Sequence, residues 1–179
     1  MTGNMLEIEL KVRVSDLEKV RMRLTSSNAQ PEGEVRERDV YFNAPHRDFG
    51  ETDEALRLRY HDGSSTLTYK GPKLGEYRLK ARTELNCGIE SGDAMEGVLE
   101  ALGFVQVAEV RKIREYFHYK GALVSLDRVD KLGSFVEIEV TGTGGEEDPS
   151  AKIGALAKEL GVDGPPILES YLELLLSIP

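Results

Sequence analysis

The chain has 179 residues and a mass of 19.9 kDa, enough for one ordinary domain with a sizeable core and too little for two independent large ones. With 23 Lys and Arg against 32 Asp and Glu, its formal charge is -9 and its pI about 5.0, which argues against non-specific binding to nucleic acid or to an anionic membrane surface. The globular balance of 40% hydrophobic and 31% charged residues, an opening MTGNMLEIELK without a signal-like apolar region, and a single Cys87 that excludes an intramolecular disulfide all point to the cytoplasm.

Residues 6–14 alternate Ile8, Leu10, Val12 and Val14 with Glu7, Glu9, Lys11 and Arg13, the period of a strand with two unlike faces. Ser15 and Glu18 then read as a capping box for a helix with Leu17, Val20 and Leu24 on one stripe, ending near Ser27 or Asn28. Past the turn-rich QPEGE, residues 35–42 read as a strand and 43–53 as an exposed loop. Residues 55–61 and 66–70 form a hairpin about Asp62-Gly63, and Gly71-Pro72 ends its second arm. A strand over 76–86 and a helix over 93–102, striped by Met95, Val98, Leu99 and Leu102 and stopped by Gly103, follow. Strands over 110–119, 122–129 and 134–141 are joined by tight links, so they are antiparallel neighbours. Residues 142–148 read as a mobile loop, Asp148 and Pro149 open a helix that Gly161 stops, and a last helix covers 170–177.

The expectation is a single domain over 1–179, class α+β: an eight-stranded antiparallel barrel or tunnel with helices packed outside, built from two similar βαβββ halves near 6–71 and 76–141 plus C-terminal helices over 149–177. Charges recur at i, i+2 on its strands: Glu7, Glu9 and Lys11; Arg57 and Arg59; Lys80, Arg82 and Glu84; Lys112 and Arg114; Glu137 and Glu139. Lys70 and Asp127 stand singly. The opposite faces are apolar and match the helix stripes, so helices outside put the charges inside. Counting eight basic residues against Glu7, Glu9, Asp127, Glu137 and Glu139 leaves an excess of three positive charges there. Unit charges 4 Å apart interact by about 4 kcal/mol at an effective dielectric near 20, so such a lining calls for a polyanion, and phosphates suit it. Paired carboxylates are oxygen ligands suited to Mg²⁺ or Mn²⁺, and cations with metal-binding acids are what phosphoryl or nucleotidyl transfer needs.

Glu7-Ile8-Glu9-Leu10-Lys11 resembles the ExExK signature of the CYTH superfamily, the triphosphate tunnel metalloenzymes. Asp39-Val40-Tyr41-Phe42, Leu56-Arg57-Leu58-Arg59, Tyr69-Lys70-Gly71-Pro72, Lys80-Ala81-Arg82-Thr83-Glu84, Lys112-Ile113-Arg114, Leu126-Asp127 and the LGSFVEIE of 132–139 follow in the family's order, and the SYLELL of 170–175 is similar to the end of its cyclase-type branch. The resemblance implies a triphosphate tunnel using Mg or Mn. By position, Glu7, Glu9, Glu137 and Glu139 would hold metal, and Arg57, Arg59, Lys70, Lys80, Arg82, Lys112 and Arg114 would contact phosphates. Lys11 and Asp127 are the candidate catalytic residues.

The family includes class IV adenylyl cyclases, thiamine triphosphatases and inorganic triphosphatases. The resemblance favours a cyclase-like conversion of ATP to cyclic AMP and pyrophosphate, with a triphosphatase or a non-catalytic nucleotide or polyphosphate binder as alternatives. The implied partner is a nucleoside or inorganic triphosphate, with neither nucleic acid nor membrane, and a homodimer is left open. Three positions depart from the pattern: no His-Phe pair precedes ExExK, Glu37 stands where Gln is frequent, and Glu169 stands where a basic residue is frequent. His46, His61 and His118 lack metal-ligand spacing. Cys87 and Tyr41, Tyr69 and Tyr116 read as packing residues, and Lys19, Arg21 and Arg23 as a solvated helix face.

Overall fold

The computed structural model describes residues 6–73, 80–142 and 148–178, and in it the alternation of the strands becomes a division between outside and inside. Its elements in chain order are β1 (Leu6–Arg13), α1 (Leu17–Ser26), β2 (Gln30–Asn43), β3 (Ala55–His61), β4 (Ser64–Lys73) and β5 (Lys80–Ile89). These are followed by α2 (Gly92–Ala101), β6 (Val105–Tyr119), β7 (Ala122–Val129), β8 (Gly133–Gly142), α3 (Pro149–Leu160) and α4 (Tyr171–Leu176). The strands close an antiparallel barrel in the order β1-β5-β4-β3-β2-β6-β7-β8, so the expected α+β architecture stands. Among the described residues β1 closes on β5 with Glu7 opposite Arg82, Ile8 opposite Ala81 and Glu9 opposite Lys80. Exchanging β1 to β4 with β5 to β8 leaves the cyclic order unchanged, and each half lends its first strand to the other.

The apolar faces point outward under the helices. Ile8, Leu10 and Val12 of β1, Val124 and Leu126 of β7 and Val136 and Ile138 of β8 pack with Leu17, Val20 and Leu24 of α1 and Ile153, Leu156 and Leu160 of α3. Val40, Phe42, Leu56 and Leu58 pack with Leu99 of α2 and with Phe49 from the loop after β2. A third cluster, Tyr41, Val110, Val129, Leu132, Phe135 and Tyr171, joins the barrel to α4. Six residues are too few for a helix to persist alone in water. α4 is held by a Ser170 and Glu173 capping box and by the chain before it, where the Ile167 amide donates to the Lys11 carbonyl at 2.8 Å.

Several local expectations are corrected. Asp16 rather than Ser15 caps α1, accepting from the Lys19 amide. β2 starts at Gln30, because QPEGE pairs with the end of β6 through a bulge at Pro31 and Gly33 instead of turning away. β4 runs through Gly71-Pro72 to Lys73 across a register shift, and β6 begins five residues early, at Val105. On α2 Leu99 is buried while Val98 and Leu102 are exposed, so its stripe is narrower than its spacing suggests. Cys87 is exposed rather than packed. Arg21 reaches Glu115 of β6 at 2.6 Å and Arg23 donates to the Leu160 carbonyl at 2.8 Å, so two of the three cations expected to be merely solvated tie α1 down. The Asp62-Gly63 and Lys120-Gly121 turns take positive φ at both residues, as two-residue hairpins require. The residues before β1 and most of the 142–148 loop lie outside the described residues.

Candidate active site in the barrel interior

The inward faces line a cavity of about 300 Å³. It brings together Glu9, Lys11, Arg57, Arg59, Lys70, Arg82, Lys112, Arg114, Glu137 and Glu139, all expected there. Glu37, Asp39 and Glu84 stand in the same lining. Among the described lining residues seven basic side chains meet six acids, so the excess of three positive charges expected from sequence falls to one. The i, i+2 spacing of Glu37 and Asp39 was the available signal. On β2 it was obscured by the apolar Val35, Val40 and Phe42, which read as the buried set. The side chains of Glu7 and Lys80 lie outside the described residues.

One group of charges joins β2, β3 and β6. Arg59 grips Asp39 with Nε and Nη2 at 2.6 and 2.8 Å, and Lys112 Nζ lies 2.7 Å from both Asp39 Oδ2 and Glu37 Oε2. The Tyr116 hydroxyl donates to Glu37 Oε1 at 2.8 Å. Burial by itself would raise the Glu37 pKa, but Lys112 and Arg59 outweigh it and hold the carboxyl at about 2. Asp39 is held well below the carboxylate range in the same way, against its own burial, by Lys112, Arg59 and Arg57. Burial pushes the Tyr116 phenol up to about 12.

A second group joins β6, β7, β8, β1 and α4. Asp127, fully buried on β7, accepts from Arg114 Nε at 2.6 Å, from Arg114 Nη2 and from the Tyr171 hydroxyl at 2.5 Å. Arg114 Nη2 also donates to Glu137, whose other oxygen lies 3.3 Å from Lys11 Nζ. Asp127 therefore sits behind the lining with both oxygens engaged, where it can orient Arg114 but does not face the cavity. Tyr171 was legible as part of the 170–177 helix and the SYLELL segment but not as a site residue; the docking of α4 brings it inside.

The remaining cations differ. Lys70 is bonded to Glu84, and Arg57 Nη2 donates to Thr68 at 3.2 Å while Arg82 Nη2 reaches Asp53 at 3.4 Å. Among the described residues the Nε of Arg57 and the Nε of Arg82 are buried without a hydrogen-bond partner. An orphaned guanidinium N–H inside a protein costs on the order of 1 to 3 kcal/mol.

Glu9 and Glu139 stand directly opposite each other on β1 and β8, with Glu137 opposite Lys11. These oxygen donors fit a hard divalent cation in kind. Among the described residues no three acidic, His or Cys side chains converge on one point, consistent with the commitment of Glu137 to Lys11 and Arg114. His61 stands in the cavity wall away from any such cluster.

The CYTH domain pattern matches residues 5–168, nearly the whole chain. The chain belongs to the CYTH family. A relative from Methanocaldococcus jannaschii, named "Putative adenylate cyclase MJ0240", is 36% identical over 173 residues, covering 95% of this chain and 98% of its own. The PH1819 protein of Pyrococcus horikoshii superposes with a TM-score of 0.83 at 38% identity, over 95% of this chain and 98% of that one. HpAC1 of Hippeastrum, for which a dominant triphosphatase activity is described, shares the fold with a TM-score of 0.72 at 18% identity, over 97% and 95% of the two chains. In this CYTH barrel the ExExK strand is β1 and the LGSFVEIE segment is the turn into β8 and β8 itself, hydrogen-bonded neighbours. Their pairing, Glu9 with Glu139 and Lys11 with Glu137, joins residues 130 and 126 apart in sequence. No helix among the described residues is long and apolar enough to cross a membrane.

Proposed function

We propose that this protein is a divalent-metal-dependent enzyme that binds a triphosphate inside its barrel and acts as a class IV adenylyl cyclase does, converting ATP to cyclic AMP and pyrophosphate. The observation that carries the reading is that Arg57 and Arg82, whose contacts to protein carboxylates among the described residues are long at 4.0 and 3.4 Å, line one cavity with Glu9 and Glu139. Cations able to take phosphate oxygens thus share one cavity with carboxylates able to hold Mg²⁺ or Mn²⁺. When bound, such a cation would neutralise charge on the phosphates and on the leaving group. Glu9 and Glu139 would hold it, with Glu7 and Glu137 completing the set assigned by the family motif.

In the cyclase reaction the ribose 3'-oxygen loses its proton and bonds to the α-phosphorus while the bond to the β-phosphate bridge breaks, releasing pyrophosphate. Arg57 and Arg82 would fix the chain so that the α-phosphorus faces that oxygen, a positioning role that accounts for much of such catalysis. Hydrolysis of the terminal phosphate would use the same groups with water as nucleophile. The missing His-Phe pair before ExExK favours this second reading, and the triphosphatase activity described for HpAC1 marks it as chemistry the fold carries elsewhere.

Incubating the pure protein with ATP, thiamine triphosphate and inorganic triphosphate in Mg²⁺ and in Mn²⁺, and resolving products by chromatography, separates the readings. Cyclic AMP with pyrophosphate is the expected result. Orthophosphate alone, above all from inorganic triphosphate, replaces it with a triphosphatase; tight triphosphate binding by calorimetry with no product marks a binding protein.

A further inference from the structure

Among the described residues of α4, Tyr171 is the buried one, and its contacts form a circuit. Its hydroxyl donates to Asp127 Oδ2 at 2.5 Å; Asp127 holds Arg114 by Nε and Nη2; Arg114 Nη2 donates to Glu137; Glu137 Oε1 lies 3.3 Å from Lys11 Nζ. Lys11 Nζ returns to the start, 4.2 Å from the centroid of the Tyr171 ring, and donates to the Glu169 carbonyl at 3.1 Å. The ring is wedged edge-on against Phe135, centroids 5.0 Å apart.

A carboxylate and a guanidinium joined by two parallel bonds can still pivot together about their side-chain torsions. A third bond to Asp127 Oδ2 from another element stops that pivot, and so fixes the plane in which Arg114 meets Glu137. Lys11, a point charge on a flexible stem, is held from the other side by the ring and the Glu169 carbonyl.

We propose that Tyr171 is a positioning residue for the reaction in the barrel, setting Arg114 and Glu137 through Asp127 and Lys11 through its ring, so that the working geometry of the cavity depends on a docked α4. The inference rests on reading the barrel as a triphosphate enzyme. It goes further in assigning the C-terminal helix a part in the chemistry rather than in stability alone.

The test compares the full chain with Tyr171→Phe, which keeps the ring and loses the hydroxyl, and Tyr171→Leu, which loses both, well below the unfolding temperature of each. One readout needs no turnover: solvent exchange of the Arg114 Nε–H by NMR. The other is steady-state kinetics on whichever triphosphate the parent protein consumes. Tyr171→Phe is expected to speed that exchange and to lower kcat about tenfold with KM within about twofold, the loss of one hydrogen bond's worth of orientation; Tyr171→Leu is expected to lower kcat further. An unchanged kcat in Tyr171→Phe overturns the inference, and so does a fall in kcat with unaltered Arg114 exchange. A parent protein that turns over no triphosphate fails the functional reading instead, and the exchange measurement then still decides whether Tyr171 holds Arg114, unaltered exchange overturning it.

Discussion

Glu37 and Lys112 stand directly opposite each other on β2 and β6, with carboxylate and ammonium 2.7 Å apart and both side chains almost wholly removed from water. Lys112 is shared with Asp39, so one ammonium faces two carboxylates, and Arg59 completes the charge balance. Lys112→Met should therefore cost about 3 to 5 kcal/mol in urea unfolding, because it strands buried negative charge. Adding Glu37→Gln to Lys112→Met should recover part of that loss. A Lys112→Met protein as stable as the parent would contradict the pairing.

The same group sets a pH dependence. The Glu37 pKa is about 2 in the folded protein against an ordinary 4.5, so its contribution is complete above the unfolded value and is lost as pH falls from about 4.5 to about 2. The shift corresponds to about 3 kcal/mol. The stability difference between the parent and Glu37→Gln should be flat above pH 5 and shrink below 4.5. A difference independent of pH down to 2 would remove Glu37 from the ionised set.

Anion affinity should follow phosphate count. Among the described residues Arg57 and Arg82 make only long contacts to protein carboxylates, 4.0 and 3.4 Å, whereas Arg59, Lys112 and Arg114 are tightly paired with theirs. Calorimetry should rank triphosphate above diphosphate above monophosphate. Arg57→Ala or Arg82→Ala should weaken triphosphate binding by about 1.5 to 3 kcal/mol with little loss of stability. Equal affinity for mono- and triphosphate would contradict the tunnel reading.

Glu139→Ala separates the metal from the phosphate. Removing a carboxylate from an anion site lowers repulsion, so triphosphate binding without metal should hold or strengthen, while metal-dependent turnover should fall about a hundredfold or more. A folded Glu139→Ala protein with full activity in both Mg²⁺ and Mn²⁺ would take Glu139 out of the metal set.

Much of this was legible in order and spacing, because both are local. The charges of Glu9 and Lys11, of Arg57 and Arg59 and of Glu137 and Glu139 repeat at i, i+2, and opposing apolar faces matched by helix stripes leave the barrel one way to bury its hydrophobic side chains. Asp148, Pro149 and Gly161 bound α3 as read, since capping depends on neighbours in sequence. The pairing state of each charge depends instead on contacts between distant strands. Lys112, expected from sequence to contact phosphate, meets Glu37 across 75 residues and so also balances a buried carboxylate. Arg114 meets Asp127 and Glu137, which puts the candidate catalytic Asp127 behind the lining. Tyr171 lies in a helix that was legible over 170–177, but it enters the site only because that short helix docks over the end of the barrel. Sequence determined which side chains face inward, through a period set by the backbone; tertiary structure decided which of them are already neutralised, because that depends on distances of a few ångströms between strands far apart in the chain.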